Sequence, residues 1–144
     1  NKNNQLLVEE ELTDIKQLRS LAVDFLDNGG GSGEEFCDYC QGDRDPRSSD
    51  NPEKAIISLK NDRETEYKVY IAVQNELVAA YNVLRNREFS RLYPNEGLTY
   101  VEADLKYSDP RTSIDDKTDL KEKLDVIKAL YPQKLSEAEP SKVN

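Results

Sequence analysis

The stretch "RETEYKVYIAVQNELVAAYNVLRNREFSRLY", residues 63–93, constrains this chain more than any other. Tyr70, Val73, Leu77, Tyr81 and Leu84 recur every three or four residues, which lines them along one side of an α-helix. Tyr67, Ile71 and Val78 sit beside that stripe. The glutamates come early and the arginines late, matching the sign of the helix dipole. Pro94 and Gly97 punctuate its end. Tyr67, Tyr70 and Tyr81 read as core packing with hydroxyls reaching the rim, in preference to a ligand site.

A second helix is expected in "LTDIKQLRSLAVDFLDNGGG". Ile15, Leu18, Ala22 and Phe25 form its apolar face, with Leu21 and Leu26 flanking. Thr13 or Asp14 can cap its start, and Gly29 to Gly31 end it. A third helix is expected in "DKTDLKEKLDVIKALYP", on Leu120, Leu124, Ile127 and Leu130, stopped by Pro132. "EKAIISLKND" alternates as a strand does: Ala55, Ile57 and Leu59 face one way, Ile56, Ser58 and Lys60 the other. "NKNNQLLVEE" joins an Asn-rich turn to Leu6-Leu7-Val8 and reads as the second half of a β-hairpin whose first half precedes residue 1. The glutamates from Glu9 to Glu11 read as a solvated helix approach. A short closing strand is expected around Lys134-Leu135-Ser136.

Two segments resist this reading. Residues 29–53 are rich in Gly, Ser, Asp, Pro and Asn, a loop long enough to be either functional or mobile. Residues 93–117 read as an irregular excursion, in which "LTYVEADLKY" suits a short strand or a partly ordered segment. The expected fold is therefore α+β and two-layered: a small mixed β-sheet with two to three helices packed on one face. One domain spans residues 1–140, and residues 141–144 form a polar tail.

Composition removes whole classes of function. The net charge is −9, so the chain has no basic footprint for a phosphate backbone, and nucleic acid is not an expected partner. With no histidine, Ser-His-Asp and Cys-His nucleophile systems, the HExxH zinc helix and the usual neutral-pH proton shuttle are all unavailable. Two carboxylates alone suffice for glycoside hydrolysis, but among 29 acidic residues close acidic pairs arise by chance. No enzymatic activity, cofactor or metal is expected. Asp115, Asp116 and Asp119 lack the Gly and the closing Glu of a calcium loop and read as helix capping.

Cys37 and Cys40, spaced CxxC, are the chain's two cysteines. A thioredoxin-type pair follows a strand and opens a helix, whose dipole lowers the thiol pKa. Here Glu34, Glu35 and Asp38 surround the pair and oppose the thiolate. Zinc needs two further ligands, from carboxylates or a second chain. A local disulfide in an oxidising compartment is the leading reading, with free thiols, a metal shared across a dimer and redox chemistry behind it. Such a disulfide closes a very short ring and is expected to staple only its own loop.

The order of elements then resembles the periplasmic domain of the ExbD/TolR family of biopolymer-transport proteins. The resemblance rests on "NKNNQLLVEEE", on "IISLKNDRETEYKVYIAVQNEL" with Asp62 and Tyr67 at the family's turn and helix-opening places, on "VQNELVAAYN" and on "YPQKLSEAEP". It covers roughly residues 1–29, 54–92 and 118–140, and leaves out the 30–53 loop. It implies a subunit, ExbD-like in preference to TolR-like, of an inner-membrane complex driven by the proton-motive force. The implied partners are an ExbB-like channel subunit and a TonB-like protein that energises outer-membrane transport, with homodimerisation of the periplasmic domain. A membrane anchor, and the family's proton-pathway residue with it, would lie before residue 1. An open sheet edge accepts an added strand with little demand on side chains. The candidate partner-binding residues are accordingly Leu6, Leu7, Val8, Lys134, Leu135 and Ser136. The alternatives are a TolR-like role in envelope maintenance, or a periplasmic module for a small ligand or peptide with residues 29–53 as its lid.

Overall fold

Three short aliphatic runs line up as one sheet: β1 (Gln5–Glu9), β2 (Ile56–Lys60) and β3 (Leu135–Ala138), in the order β1-β2-β3. The computed structural model describes residues 4–9, 15–60 and 67–138. Both strand pairs are parallel, with Leu6 opposite Ile57 and Ile57 opposite Leu135. Parallel neighbours cannot be joined by a tight turn, so each connection carries helix. Between β1 and β2 runs α1 (Ile15–Leu26). Between β2 and β3 run α2 (Tyr67–Leu92), α3 (Tyr100–Ser108) and α4 (Ile114–Leu130). The α+β class holds. The expected mixture of strand directions does not, because both crossovers return the chain to the same end of the sheet. Leu6–Val8 forms a strand that pairs in parallel with β2; the hairpin partner expected before residue 1 lies outside the sequence.

The period of two in β2 sorts its side chains as expected. Ala55, Ile57 and Leu59 are buried, and with Val8 they meet Leu18, Ala22, Phe25 and Leu26 of α1 and Val73, Leu77, Ala80, Tyr81 and Leu84 of α2. Each such aliphatic side chain withdrawn from water contributes roughly 1.5–3 kcal/mol. α1 and α2 thus form the second layer, over one face of the sheet. Leu21, a flanking residue of the α1 stripe, stays largely exposed.

A second core lies beyond the sheet. Phe89 of α2 packs with Tyr100 and Ala103 of α3 and Leu120, Leu124 and Ile127 of α4. The 93–117 segment is therefore not irregular. Thr99 opens α3 with a capping box: its side chain accepts from the Glu102 amide at 3.1 Å, and the Glu102 carboxylate accepts from the Thr99 amide at 3.0 Å. Ser113 caps α4 by accepting from the Asp116 amide, so the hydroxyl before the acidic run does the capping expected of that run. Arg85 joins the two cores. It donates to the Tyr131 carbonyl at 3.1 and 2.9 Å, and its guanidinium lies 5.4 Å from the centre of the Tyr100 ring.

Tyr67 corrects another expectation. It is 77% exposed at the first turn of α2, 6.5 Å from the Tyr70 ring and outside the core, whose contacts with α2 begin at Val69 and Tyr70. Asp62, the caps Thr13 and Asp14, the acidic pair Glu10 and Glu11 and the tail 141–144 lie outside the described residues.

Candidate functional site

The face of the sheet opposite α1 and α2 carries the other half of each strand's residues. Leu7 is 49% exposed and Ile56 is 40% exposed. Ser58 lies between the outer strands, accepting from the Gln5 side-chain amide at 2.7 Å and sharing a 3.2 Å hydrogen bond with the Ser136 hydroxyl. Strand pairing splits the candidate partner residues between the two faces and the two edges of the sheet. Leu7, Ser136 and Lys134 are exposed, while Leu6, Val8 and Leu135 point into the core. β1 and β3 are the outer strands, so the two predicted edges lie on opposite sides of β2.

The 29–53 loop is a built structure. Asn28 donates to the carbonyls of Asp45 and Ser49 at 2.9 and 2.7 Å, and its side-chain oxygen accepts from the Asp45 amide. The Ser49 hydroxyl donates to the Phe25 carbonyl at the end of α1. Asn4 and Asp50 exchange two hydrogen bonds, tying the loop to the start of β1. Gly29 has a φ of +65°, and a Cβ there would lie 2.7 Å from the Cys40 Cβ. Arg44, itself at φ +58°, donates to the carbonyls of Gly29, Cys37 and Cys40 and stacks on Phe36. Cys37 and Cys40 are joined as a disulfide and both are buried.

Beneath the loop lies a polar hub. Arg87 grips Asp27 through two hydrogen bonds of 2.7 and 3.1 Å, and reaches the Tyr39 carbonyl at 3.3 Å and the Tyr131 hydroxyl at 2.9 Å. The Tyr131 hydroxyl also donates to Asp27. Glu88, fully buried, accepts from Arg87 at 3.1 Å and from Arg91 at 2.9 and 2.6 Å. Burial is the largest influence on Arg87 and works against its charge, but the bond to Asp27, the charges of Tyr131 and Asp27 and the bond to Glu88 together outweigh it and hold the cation above the ordinary arginine range. Burial, and then the bond to Asp27, push the Tyr131 hydroxyl well up. Burial, with Glu88 adding to it, pushes the Tyr39 hydroxyl up to about 12. The hub fixes the end of α1, the body of α2 and the exit from α4 at one point.

Sequence reasoning named none of Asp27, Arg87, Glu88 and Tyr131. The signal for one of them was present: Glu88 follows Tyr81 and Leu84 on the same apolar register of α2. A carboxylate at a core position demands a buried partner. Cys37 and Cys40 are bonded, and strands form at Leu6–Val8 and at Leu135–Ser136 but with both pairings parallel, whereas Asp62 lies outside the described residues. An open depression of about 300 Å³ lined by Ser90, Tyr93, Leu98, Thr99 and Glu102 lies at the α2–α3 junction and not under the 29–53 loop. Among the described residues no helix is long and apolar enough to cross a membrane, and no acidic or cysteine group is arranged to hold a metal ion.

Among the described residues, fold and surface define an α+β structure on a parallel three-stranded sheet with one face covered by helices and the other open. No protein-family model, curated protein or solved structure matches the chain.

Proposed function

We propose that this chain is the periplasmic interaction domain of an ExbD-like subunit, part of a proton-motive-force-driven inner-membrane complex that energises TonB-dependent outer-membrane transport. The observation that carries this reading is the sheet surface. Leu7 of the outer strand β1 and Ile56 of the central strand β2 stand exposed on a face without a helix among the described residues. An extended partner segment can add to such an edge through main-chain hydrogen bonds, while Leu7 and Ile56 offer it apolar contact. The resemblance at "IISLKNDRETEYKVY" and "YPQKLSEAEP" supports the same reading. The Cys37–Cys40 disulfide suits an oxidising compartment such as the periplasm.

In this role the domain needs no nucleophile. It presents a surface to a TonB-like protein and a second copy of itself, while an anchor before residue 1 meets the ExbB-like channel. The test is an amide-resonance titration of the chain with the periplasmic segment of a cognate TonB-like protein, paired with co-purification of the anchored protein and an ExbB-like subunit. We expect shifts at Leu6–Val8 and at Lys134–Ser136, and co-purification. Silence at both edges together with failure to co-purify would overturn the proposal.

A further inference from the structure

Tyr39 sits inside the disulfide ring, between Cys37 and Cys40, and it is the loop residue that reaches furthest in sequence. Its hydroxyl donates to the Leu130 carbonyl at 2.6 Å, at the last residue of α4. Its ring meets that of Tyr131 edge-on, with centroids 5.5 Å apart. Its own carbonyl accepts from Arg87. Only Pro132, Gln133 and Lys134 separate Tyr131 from β3, and the Lys134 carbonyl already accepts from the Ile57 amide at 2.9 Å. The side chain held by the ring therefore braces the junction at which β3 begins.

We propose that the Cys37–Cys40 bond is a redox-dependent lock on β3. Closed, it holds Tyr39 against the Leu130–Tyr131 junction and steadies the strand; opened, it releases Tyr39 and loosens the strand. A disulfide closing so short a ring contributes little through chain entropy, but it removes most of the backbone freedom of the two residues inside it, one of which is Tyr39. Arg44 reinforces the closed form by donating to the carbonyls of both cysteines. Arg85 and the Tyr81 hydroxyl hold the same junction from α2, which donate to the Tyr131 carbonyl and accept from the Lys134 amide respectively. Opening the lock therefore loosens β3 without detaching it.

The opening step is a thiol–disulfide exchange with a dithiol reductant. Its first thiolate attacks one sulfur and forms a mixed disulfide, and the other protein sulfur leaves as a thiolate and takes a proton. The reductant's second thiol then resolves the mixed bond. In sum, two electrons and two protons pass to Cys37 and Cys40, and the reductant becomes a disulfide. The two cysteines are only 3% and 4% exposed, so attack requires the loop to lift first. A closed lock is thus protected by the contacts it makes.

The test is amide hydrogen exchange on the whole chain in four states: oxidised, treated with dithiothreitol, Cys37→Ala/Cys40→Ala, and Tyr39→Phe. In the reduced and doubly substituted proteins we expect protection of Leu135–Ala138 to fall about tenfold more than that of Leu77–Leu84, the loss due to one hydrogen bond and one ring contact. Tyr39→Phe keeps the disulfide and loses only the hydroxyl, and should give a smaller loss at the same amides. If β3 and α2 lose protection by the same factor, or if only residues 37–45 change, the bond staples its own loop and the proposal fails. If dithiothreitol leaves the folded protein oxidised, the double substitution decides by the same criterion.

Discussion

Residues 29–53 and 93–117 are both long insertions between the elements that build the sheet, and they are held by opposite means. The first contributes little apolar surface and is secured by contacts distant in sequence: Asn28 to Asp45 and Ser49, Asn4 to Asp50, Tyr39 to Leu130. The second is secured by a local cap, Thr99 with Glu102, and by Tyr100 and Ala103 buried against α4. A polar loop can be as specified as a helix when each buried carbonyl and amide finds a partner. The difference is where a single substitution hurts. In the loop, damage is concentrated at a few shared donors; in the helix, it is spread over a face.

The largest effect is expected at the point where the loop meets the hub. Asp27→Ala takes from Arg87 its two-bond partner and from Tyr131 its acceptor. Breaking a buried pair by removing one partner costs about 3–5 kcal/mol. Arg87 is 28% exposed and keeps Glu88, which puts the expected loss at about 3 kcal/mol in urea unfolding. A loss below about 1 kcal/mol would mean that Glu88 and the Tyr39 carbonyl suffice, and the loop would not depend on the hub.

Next comes Arg44, whose guanidinium serves three loop carbonyls. Arg44→Ala should cost about 2 kcal/mol, since hydrogen bonds from a charged donor to buried acceptors are lost while the left-handed backbone remains. Arg44→Gly keeps the loss of bonds but relieves a φ of +58°, so it should recover about 1 kcal/mol of the deficit. Equal losses for the two variants, measured side by side by urea unfolding, would show that the backbone conformation carries no cost there.

Tyr39 supplies a pH test of the same region. Its folded pKa of about 12 lies above the ordinary tyrosine value near 10. The unfolded chain therefore loses that proton first, so this contribution is fully present below about pH 10 and is lost as pH rises through 12. Burial likewise raises Tyr81, Tyr100 and Tyr131, so a control is needed. Between pH 10 and 12, wild type should lose more stability than Tyr39→Phe, measured by chemical unfolding at each pH. Parallel pH profiles would show that Tyr39 ionises as freely in the folded chain as in the unfolded one.

What could be read in advance follows from the same contrast. Periodicity located α1, α2 and α4, because Leu18, Leu77 and Leu124 belong to stripes visible within a single helix. It also placed β2, where Ile57 and Leu59 alternate with Ile56 and Ser58. Strand direction was out of reach, since a three-residue run such as Leu6–Val8 carries no mark of its neighbour's direction. The hub was hidden for a related reason: Asp27, Arg87 and Tyr131 meet across some 44–104 residues of chain. The loop's order was hidden because its bonds use backbone groups, which every residue has. The helix α3 was different. "TYVE" at residues 99–102 has the spacing of a capping box, but the apolar residues of "LTYVEADLKY" read as a short strand or a partly ordered segment.

Thr99 therefore gives the smallest and most local test of the contrast. Thr99→Ala removes the hydroxyl that accepts from the Glu102 amide and leaves one first-turn donor to water. Caps of this kind are worth about 1 kcal/mol, and Thr99 is only partly buried, so water can replace the lost acceptor. The loss should appear as faster amide exchange within Tyr100–Ala103, with residues 29–53 unchanged, because the capping box makes no contact with the loop's polar network. Thr99→Ser should restore protection, since it keeps the accepting oxygen. If Thr99→Ala also loosens the hub residues, then the second core is coupled to the first, with Arg85, which reaches both Tyr100 and Tyr131, as the connecting side chain. The two insertions would then stand or fall together despite their different means of support.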